Sequence, residues 1–236
     1  MPTTPDHAPE RPPLALAWYA TVRGGAVGVG VLFGPQVTVG REHVPIRGGA
    51  LLVANHASFL DVFVLGAAIL RPLNFVARST LFVGPLGWMI RSVGGFPIQR
   101  EGIGASGVKE TLRRARGGGI VALFPEGTRS PDGRLAALKP GIAALAQRVG
   151  VPVIPVAIAG TFRAWPRHRA LPEPGPVHVD IGPPIAAGSI AGLPTEAVTA
   201  LIQARLQAGL DRANAALARE RGDAPEIAVG GIGPND

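Results

Sequence analysis

Ala50-Leu51-Leu52-Val53-Ala54-Asn55-His56-Ala57-Ser58-Phe59-Leu60-Asp61 is the stretch on which the chain turns. Its first five residues form a short apolar run that reads as a buried strand, and Val62 to Leu70 behind it is apolar enough for a buried helix. A histidine and an aspartate therefore lie at a strand-to-helix junction. On one continuous helix, residues five apart would be rotated by about 140° and could not touch. The helix must begin between them. Ser58 suits the N-cap, and Asp61 three positions on completes a Ser-x-x-Asp capping signature, so His56 lies in the preceding turn, within reach of the carboxylate. An imidazole held in that way has one nitrogen fixed as donor and the other free to accept a proton, as a general base requires. On this motif alone the competing reading stands equal: Asp61 as a cap only, His56 as a loop histidine only.

The pair would make two-thirds of a serine hydrolase triad, but the chain has no Gly-x-Ser-x-Gly elbow and no cysteine. A base without a protein nucleophile points to activation of a substrate hydroxyl. The missing cysteines also exclude a disulfide framework and thiolate metal sites. The five histidines show no metal-ligand spacing, so no metal is expected.

With 236 residues the chain has length for one ordinary domain with an appended segment. Hydrophobic residues make up 47% of it and the mean hydropathy is +0.28, which fits an enzyme at a membrane surface. The net charge of +7 is carried almost wholly by arginine, since only Lys109 and Lys139 are lysines. Arginine suits phosphates, with its planar fork of donors. Aromatics at 5% and the lack of a recognition-helix pattern argue against a nucleic-acid partner.

Around the central motif the chain alternates strands and helices. Residues 1–13, with five prolines, read as a disordered leader, and residues 14–36 as an apolar helical membrane-attachment segment. Arg23 lies midway along it, where a spanning helix would hold the charge in hydrocarbon at a cost of roughly 2.5 to 3.5 kcal/mol. Gly24, Gly25, Gly28 and Gly30 weaken a straight rod by up to about 1 kcal/mol each. A broken or re-entrant element lying in the interface is therefore expected, not a full span.

Strands are expected at Val37 to Arg41, Ala50 to Ala54, Asn74 to Ala77, Ile120 to Phe124, Pro152 to Ala159 and Val177 to Ile181. Helices are expected at Val62 to Leu70, Ser106 to Arg116, Ile142 to Val149 and Thr195 to Arg221. Thr80 to Ser92, rich in bulky apolar groups, reads mostly as core, with a groove for an acyl chain as a further reading. The whole predicts an α/β layered domain with a central, mostly parallel sheet flanked by helices, over residues 37–221, followed by a mobile tail at 222–236. At the end of the Ile120 to Phe124 strand, Pro125-Glu126-Gly127-Thr128-Arg129-Ser130 puts a carboxylate, a permissive glycine, a hydroxyl and an arginine into six residues. Those are the makings of a polar substrate pocket.

Asn55-His56 with Asp61, Gly94 to Arg100, Phe124 to Ser130 and Val153-Ile154-Pro155-Val156 resemble, in order and spacing, the four blocks of the 1-acylglycerol-3-phosphate acyltransferase family. The resemblance covers about residues 37 to 185. It implies a glycerol-3-phosphate acyltransferase-like fold. It also implies acyl transfer from an acyl thioester of coenzyme A or acyl carrier protein to the free hydroxyl of a lysophospholipid, lysophosphatidic acid before other lysolipids. His56 is then the base and Asp61 its orienting partner. Arg100, Glu126, Gly127, Thr128 and Arg129 are acceptor-binding residues, with Lys139 as a further clamp. No cofactor is implied beyond the thioester co-substrate, and the expected place is the cytoplasmic face of the cell membrane. Two positions depart from the family pattern, Gln99 for Asp or Asn and Arg78 for lysine, and both bear on acceptor identity. A lipid-surface binding protein without chemistry is the rival reading, and the presence of both His56 and Asp61 weighs against it.

Overall fold

The strands are nearly continuous apolar runs, and the structure shows why: both faces of the sheet are covered. The computed structural model describes residues 12–98 and 104–222. Its seven strands are β1 (Gln36–Val39), β2 (Ala50–Ala54), β3 (Leu73–Arg78), β4 (Phe96–Ile98), β5 (Ile120–Leu123), β6 (Val153–Ala159) and β7 (Val177–Ile181). They form one sheet in the order β1-β7-β6-β2-β5-β3-β4, parallel throughout except for the β6-β7 pair.

Along β2 the pleat sends successive side chains to opposite faces. Ala50, Leu52 and Ala54 pack with Leu60, Val64, Leu65 and Ala68 of α2 (Leu60–Ala68) in one core. Leu51 and Val53 pack in the other, with Ile142 and Leu145 of α5 (Gly141–Val149) and with Val198, Ile202 and Leu206 of α8 (Thr195–Arg221). This is the layered α/β domain expected from the sequence. The apolar stripe read along α8 is its buried face, from Val198 to Leu217. Asp180 of β7 takes a two-pronged hydrogen bond from Arg212 of α8, at 2.8 and 2.7 Å, which fixes the helix in register on the sheet. Pro155, an unusual residue for a central strand, directs its missing donor toward the β7 side, where that ladder has just ended at the Val156–Ile181 pair.

Two of the local expectations change. The segment expected to be broken is one α-helix, α1 (Pro13–Phe33), with proline in the first turn where no donor is lost. Its glycines cost helix propensity but remove no hydrogen bond, and packing on α2 carries the helix. Arg23, expected to face the interface as a lone charge, turns into the protein instead. Its Nε and Nη2 donate to the carbonyls of Gly66 and Ala67, both at 2.9 Å, at the C-terminal end of α2. A cation there satisfies carbonyls that have no partner within the helix. The Tyr19 hydroxyl accepts the N–H of Leu73 and ties α1 to β3.

Within Thr80 to Ser92 only Phe82 and Gly87 are buried, so most of the segment is not core. It forms a single 3-10 turn and then α3 (Gly84–Ser92), in which only Gly87 is buried, while Val83, Leu86 and Trp88 are exposed. The rings of Trp88 and of Trp18 of α1 meet tilted by 53°, 5.8 Å between centroids, and Trp18 Nε1 donates to Ser92 Oγ at 2.8 Å. Among the described residues no helix is long and apolar enough to cross a membrane. Residues 1–11 of the expected leader and 223–236 of the expected tail lie outside the described residues.

One arginine joins the entries of the two strands that lead to the polar motifs. Arg71 Nη1 donates to the carbonyls of Pro45 and Gly48, both at 2.8 Å, and Nη2 donates to that of Gly118 at 2.7 Å. The loops meet closely, since a Cβ on Gly49 would lie 1.7 Å from the Ala115 carbonyl oxygen. Arg71→Ala should lower unfolding free energy by about 2 kcal/mol, because charge-assisted bonds are lost and partly buried carbonyls are left bare. Arg71→Lys should recover only part, since an ammonium lacks the fork. Urea midpoints of the three proteins check this.

Candidate active site

The site is assembled where β2 and β5 leave the sheet at their C-terminal ends, the usual place for ligands in parallel sheets. β2 ends at Ala54, and the Asn55 side chain then continues its hydrogen bonding. Asn55 Oδ1 accepts the N–H of Ile158 at 2.7 Å and Nδ2 donates to the Ile158 carbonyl at 3.0 Å, as a further residue of the strand would. The next residue, His56, leaves the sheet on a fixed trajectory.

The loop after β5 grips the main chain of His56 on both sides. The His56 N–H donates to Glu126 Oε1 at 2.6 Å, and the His56 carbonyl accepts the N–H of Ser130 at 2.7 Å. Glu126 Oε2 accepts the N–H of Ala136 at 3.0 Å. The imidazole lies flat on the ring of Phe124, with centroids 4.0 Å apart and planes 17° apart. Nδ1 of the ring meets Asp61 Oδ2 at 2.8 Å. That oxygen also accepts the N–H groups of Ala57 and Ser58, both at 2.7 Å. Asp61 is fully buried, and its Oδ1 has no hydrogen-bond partner. An ionised carboxylate only accepts, so Nδ1 carries the proton and Nε2 is left as the basic nitrogen. The His56 side chain is 18% exposed, and no described protein group bonds Nε2.

The start of α2 departs slightly from the expected capping box. The helix begins at Leu60, whose N–H donates to Ser58 Oγ at 3.1 Å, while Asp61 reaches back to the two preceding amides. Ser58 Oγ donates in turn to the Trp165 carbonyl at 2.8 Å. This brings the loop after β6 against the site, and with it the ring of Trp165 beside Phe59, 5.7 Å between centroids.

Of the residues expected to hold the acceptor, Arg129 stacks its guanidinium on Phe59, 3.7 Å from the ring centroid. No carboxylate among the described residues pairs with it. Burial first, then the neighbouring guanidiniums of Arg167 and Arg78, hold its pKa below the ordinary value, as suits a cation awaiting an anion. Gly127 has φ of +71°, a conformation that favours glycine, and the stem of Lys139 lies against it. Arg78 Nη2 donates to the Gly127 carbonyl at 2.9 Å. Thr128 is exposed, and its hydroxyl makes no hydrogen bond among the described residues. Glu126 is 3% exposed and uses both oxygens on backbone amides, so it faces the protein and not the opening. Arg100 lies outside the described residues.

Residues 36–159 match the family described as Acyltransferase. The chain belongs to that family. It is similar to the 1-acyl-sn-glycerol-3-phosphate acyltransferase BAT2, chloroplastic, of Brassica napus, with 35% identity over 56% of this chain and 40% of the relative. It is also similar to the 1-acyl-sn-glycerol-3-phosphate acyltransferase of Bacillus subtilis, with 29% identity over 66% of this chain and 76% of the relative. Among solved structures, the 1-acyl-sn-glycerophosphate (LPA) acyltransferase PlsC of Thermotoga maritima superposes with a TM-score of 0.77. It is 27% identical, over 88% of this chain and 84% of that one. The chain thus spans only about two fifths of the length of the plant relative.

Sequence reasoning missed the roles of Asn55 and Ser130. Asn55 carried one signal, a polar residue immediately after a buried strand, but the backbone groups the two residues bond, at Ile158 and His56, come from elements distant in sequence.

Glu126 also carries a pH signature. Burial raises its carboxyl pKa above the ordinary 4.5, against the opposing hydrogen bonds from Ala136 and His56. A carboxyl raised in the fold binds its proton more tightly there than in the unfolded chain, so its contribution is full below 4.5 and is lost as pH rises through the folded value. In Glu126→Gln that decline should be absent, on top of a loss of stability at all pH values from one misplaced donor. Urea midpoints of both proteins from pH 4 to 8 test the difference in slope.

Proposed function

We propose that the chain transfers an acyl group from a thioester to the free hydroxyl of a lysophospholipid, lysophosphatidic acid first. The observation that carries this reading is the imidazole of His56, oriented through Nδ1 by the buried Asp61, with no described protein group on Nε2, in a site where the guanidinium of Arg129 is stacked on Phe59 without a carboxylate partner among the described residues. The printed names of the relatives, all acting on a 1-acyl-glycerol phosphate, support the acceptor.

In this mechanism Nε2 takes the hydroxyl proton as the oxygen attacks the thioester carbonyl. The tetrahedral intermediate collapses with cleavage of the carbon–sulfur bond, and the imidazolium returns its proton to the departing thiolate. Asp61 stays ionised and stabilises the imidazolium. Arg129, with Arg78 and Lys139 near it and Arg100 as a further contact, holds the acceptor phosphate, because charge-assisted bonds to phosphate are strong and directional. Glu126 and Gly127 shape the loop that presents Arg129. Positioning by such clamps accounts for several kcal/mol of the barrier. The donor is a thioester of coenzyme A or acyl carrier protein.

We infer further a monotopic attachment to the cytoplasmic face of the cell membrane through the apolar surface of α1 and α3. Leu14, Trp18, Val83, Leu86 and Trp88 are exposed there, and tryptophan favours the interface between headgroups and hydrocarbon. Arginines elsewhere on the domain add attraction to anionic lipid.

His56→Ala should lower turnover by about 10²- to 10⁴-fold, the usual contribution of a general base, with the fold retained. Asp61→Asn should lose less, since its carbonyl can still face Nδ1. Phosphatidic acid formed from lysophosphatidic acid and acyl-CoA, followed by mass spectrometry, gives the answer; near wild-type turnover by folded His56→Ala protein would end the assignment of the base. For the membrane, Trp18→Ser/Trp88→Ser should reduce co-flotation with phosphatidylglycerol-containing vesicles while leaving the thermal midpoint in detergent within a few degrees. Unchanged flotation would remove this surface from the attachment.

A further inference from the structure

Two aromatic rings are exchanged between the loops that meet at the site. Phe124, just after β5, carries the imidazole of His56 from the loop after β2, with centroids 4.0 Å apart. Phe59, from the loop after β2, carries the guanidinium of Arg129 from the loop after β5, 3.7 Å from its centroid. Each loop thus supplies the surface on which the other's polar side chain rests. The first stack belongs to the base. Core packing does not account for the second, since Phe59 is 48% exposed.

Exposed as it is, Phe59 stands on a fixed main chain. The Leu60 N–H donates to Ser58 Oγ across it, and the Ser58 N–H is held on Asp61 Oδ2. The capping turn that orients His56 therefore also sets the position of Phe59. Its ring lies against Trp165, 5.7 Å between centroids. Trp165 is anchored at three points: Nε1 donates to the Arg169 carbonyl at 3.0 Å, its own carbonyl accepts the Ser58 hydroxyl at 2.8 Å, and its ring packs on the core that α2 covers.

What this platform does for Arg129 follows from the chemistry of a guanidinium. A carboxylate partner would hold it by its N–H groups and so occupy the donors that an anionic ligand needs. An aromatic ring attracts the cation through its π-electrons without drawing on those donors in the plane of the fork. The Arg129 guanidinium has neither a carboxylate partner nor a hydrogen bond among the described residues, so the stack is the contact that orders it. An arginine loose in solvent would have to be ordered by the ligand, which weakens binding.

Resting on the acyltransferase reading, we propose that Phe59, braced by Trp165, is a positioning residue that sets Arg129 for the acceptor phosphate and so favours phosphate-bearing acceptors over neutral ones. The two stacks cross between the same two loops. They set the spacing of imidazole and guanidinium before any substrate arrives.

A double-mutant cycle read by calorimetry tests this apart from turnover. The probes are lysophosphatidic acid and the monoacylglycerol of the same chain, in detergent micelles, offered to wild type, Phe59→Leu, Arg129→Ala and the variant carrying both. Phe59→Leu keeps an apolar side chain and removes the π-face, and at a half-exposed position it retains the fold. It should weaken binding of lysophosphatidic acid by about three- to tenfold, within the range of one cation–π contact. Binding of monoacylglycerol should not change. In the Arg129→Ala background the substitution should have no further effect, and Phe59→Tyr, which keeps the π-face, should bind lysophosphatidic acid as the wild type does. Folded Phe59→Leu protein with wild-type affinity for lysophosphatidic acid overturns the proposal. So does a loss that monoacylglycerol shares, that persists without Arg129, or that is equally present in Phe59→Tyr, because the ring would then act by itself and not through the guanidinium. Binding of lysophosphatidic acid that depends on Phe59, by a protein that forms no phosphatidic acid, would instead overturn the proposed reaction and leave the role of Phe59 standing.

Discussion

A buried carboxylate joins the two strand exits on which the site depends. Glu126 would be costly to bury alone, and its hydrogen bonds to the amides of His56 and Ala136 offset that cost. The same bonds fix the main chain of His56 relative to the loop that carries Arg129. With the Ser130 amide on the His56 carbonyl, the histidine is held on both sides before its ring makes any contact. The ring is then left only one orientation, flat on Phe124 and bonded to Asp61. Preorganisation of this kind places the cost of ordering in folding, so none of it falls on the chemical step.

The arginine-rich composition resolves into three uses that a net charge of +7 conceals. One set closes the backbone, as Arg71 does between two strand entries and Arg23 at the end of α2. A second set is neutralised locally, as in the Glu110 cluster, where the neighbouring arginines hold that carboxyl at about 2. A third set has no carboxylate or carbonyl partner among the described residues, and Arg129, stacked on Phe59, is its member at the site.

What the sequence revealed follows from which forces are local. β2, β5, β6 and α8 were legible because each is a long apolar run or stripe, and burial on two faces leaves little ambiguity. The His56–Asp61 contact was legible because a capping signature sets its geometry within six residues. Glu126 was read as a substrate contact because sequence shows a carboxylate in a loop and not the backbone amides it meets, one of them 70 residues away. Thr80 to Ser92 was misread for a different reason. Apolar composition registers aversion to water, and an outward-facing surface such as that of Val83 and Trp88 has the same signature as a core. For α1 the glycines were weighed without the neighbour: packing on α2 and the Arg23 bonds outweigh a propensity deficit of a few kcal/mol.

The position of β1 at the sheet edge has a consequence in time. Gln36 pairs with Val177, so the strand that directly follows α1 must wait for most of the domain to be synthesised before it has a partner. Pairings so distant in sequence are slow to form. α2, on which α1 packs, is made early, but the sheet beneath α2 needs β6, which ends at Ala159. For much of its synthesis the nascent protein therefore carries an apolar helix without a finished domain to cover it. On the proposed membrane attachment, the order of synthesis would let that helix reach a lipid surface before the fold closes.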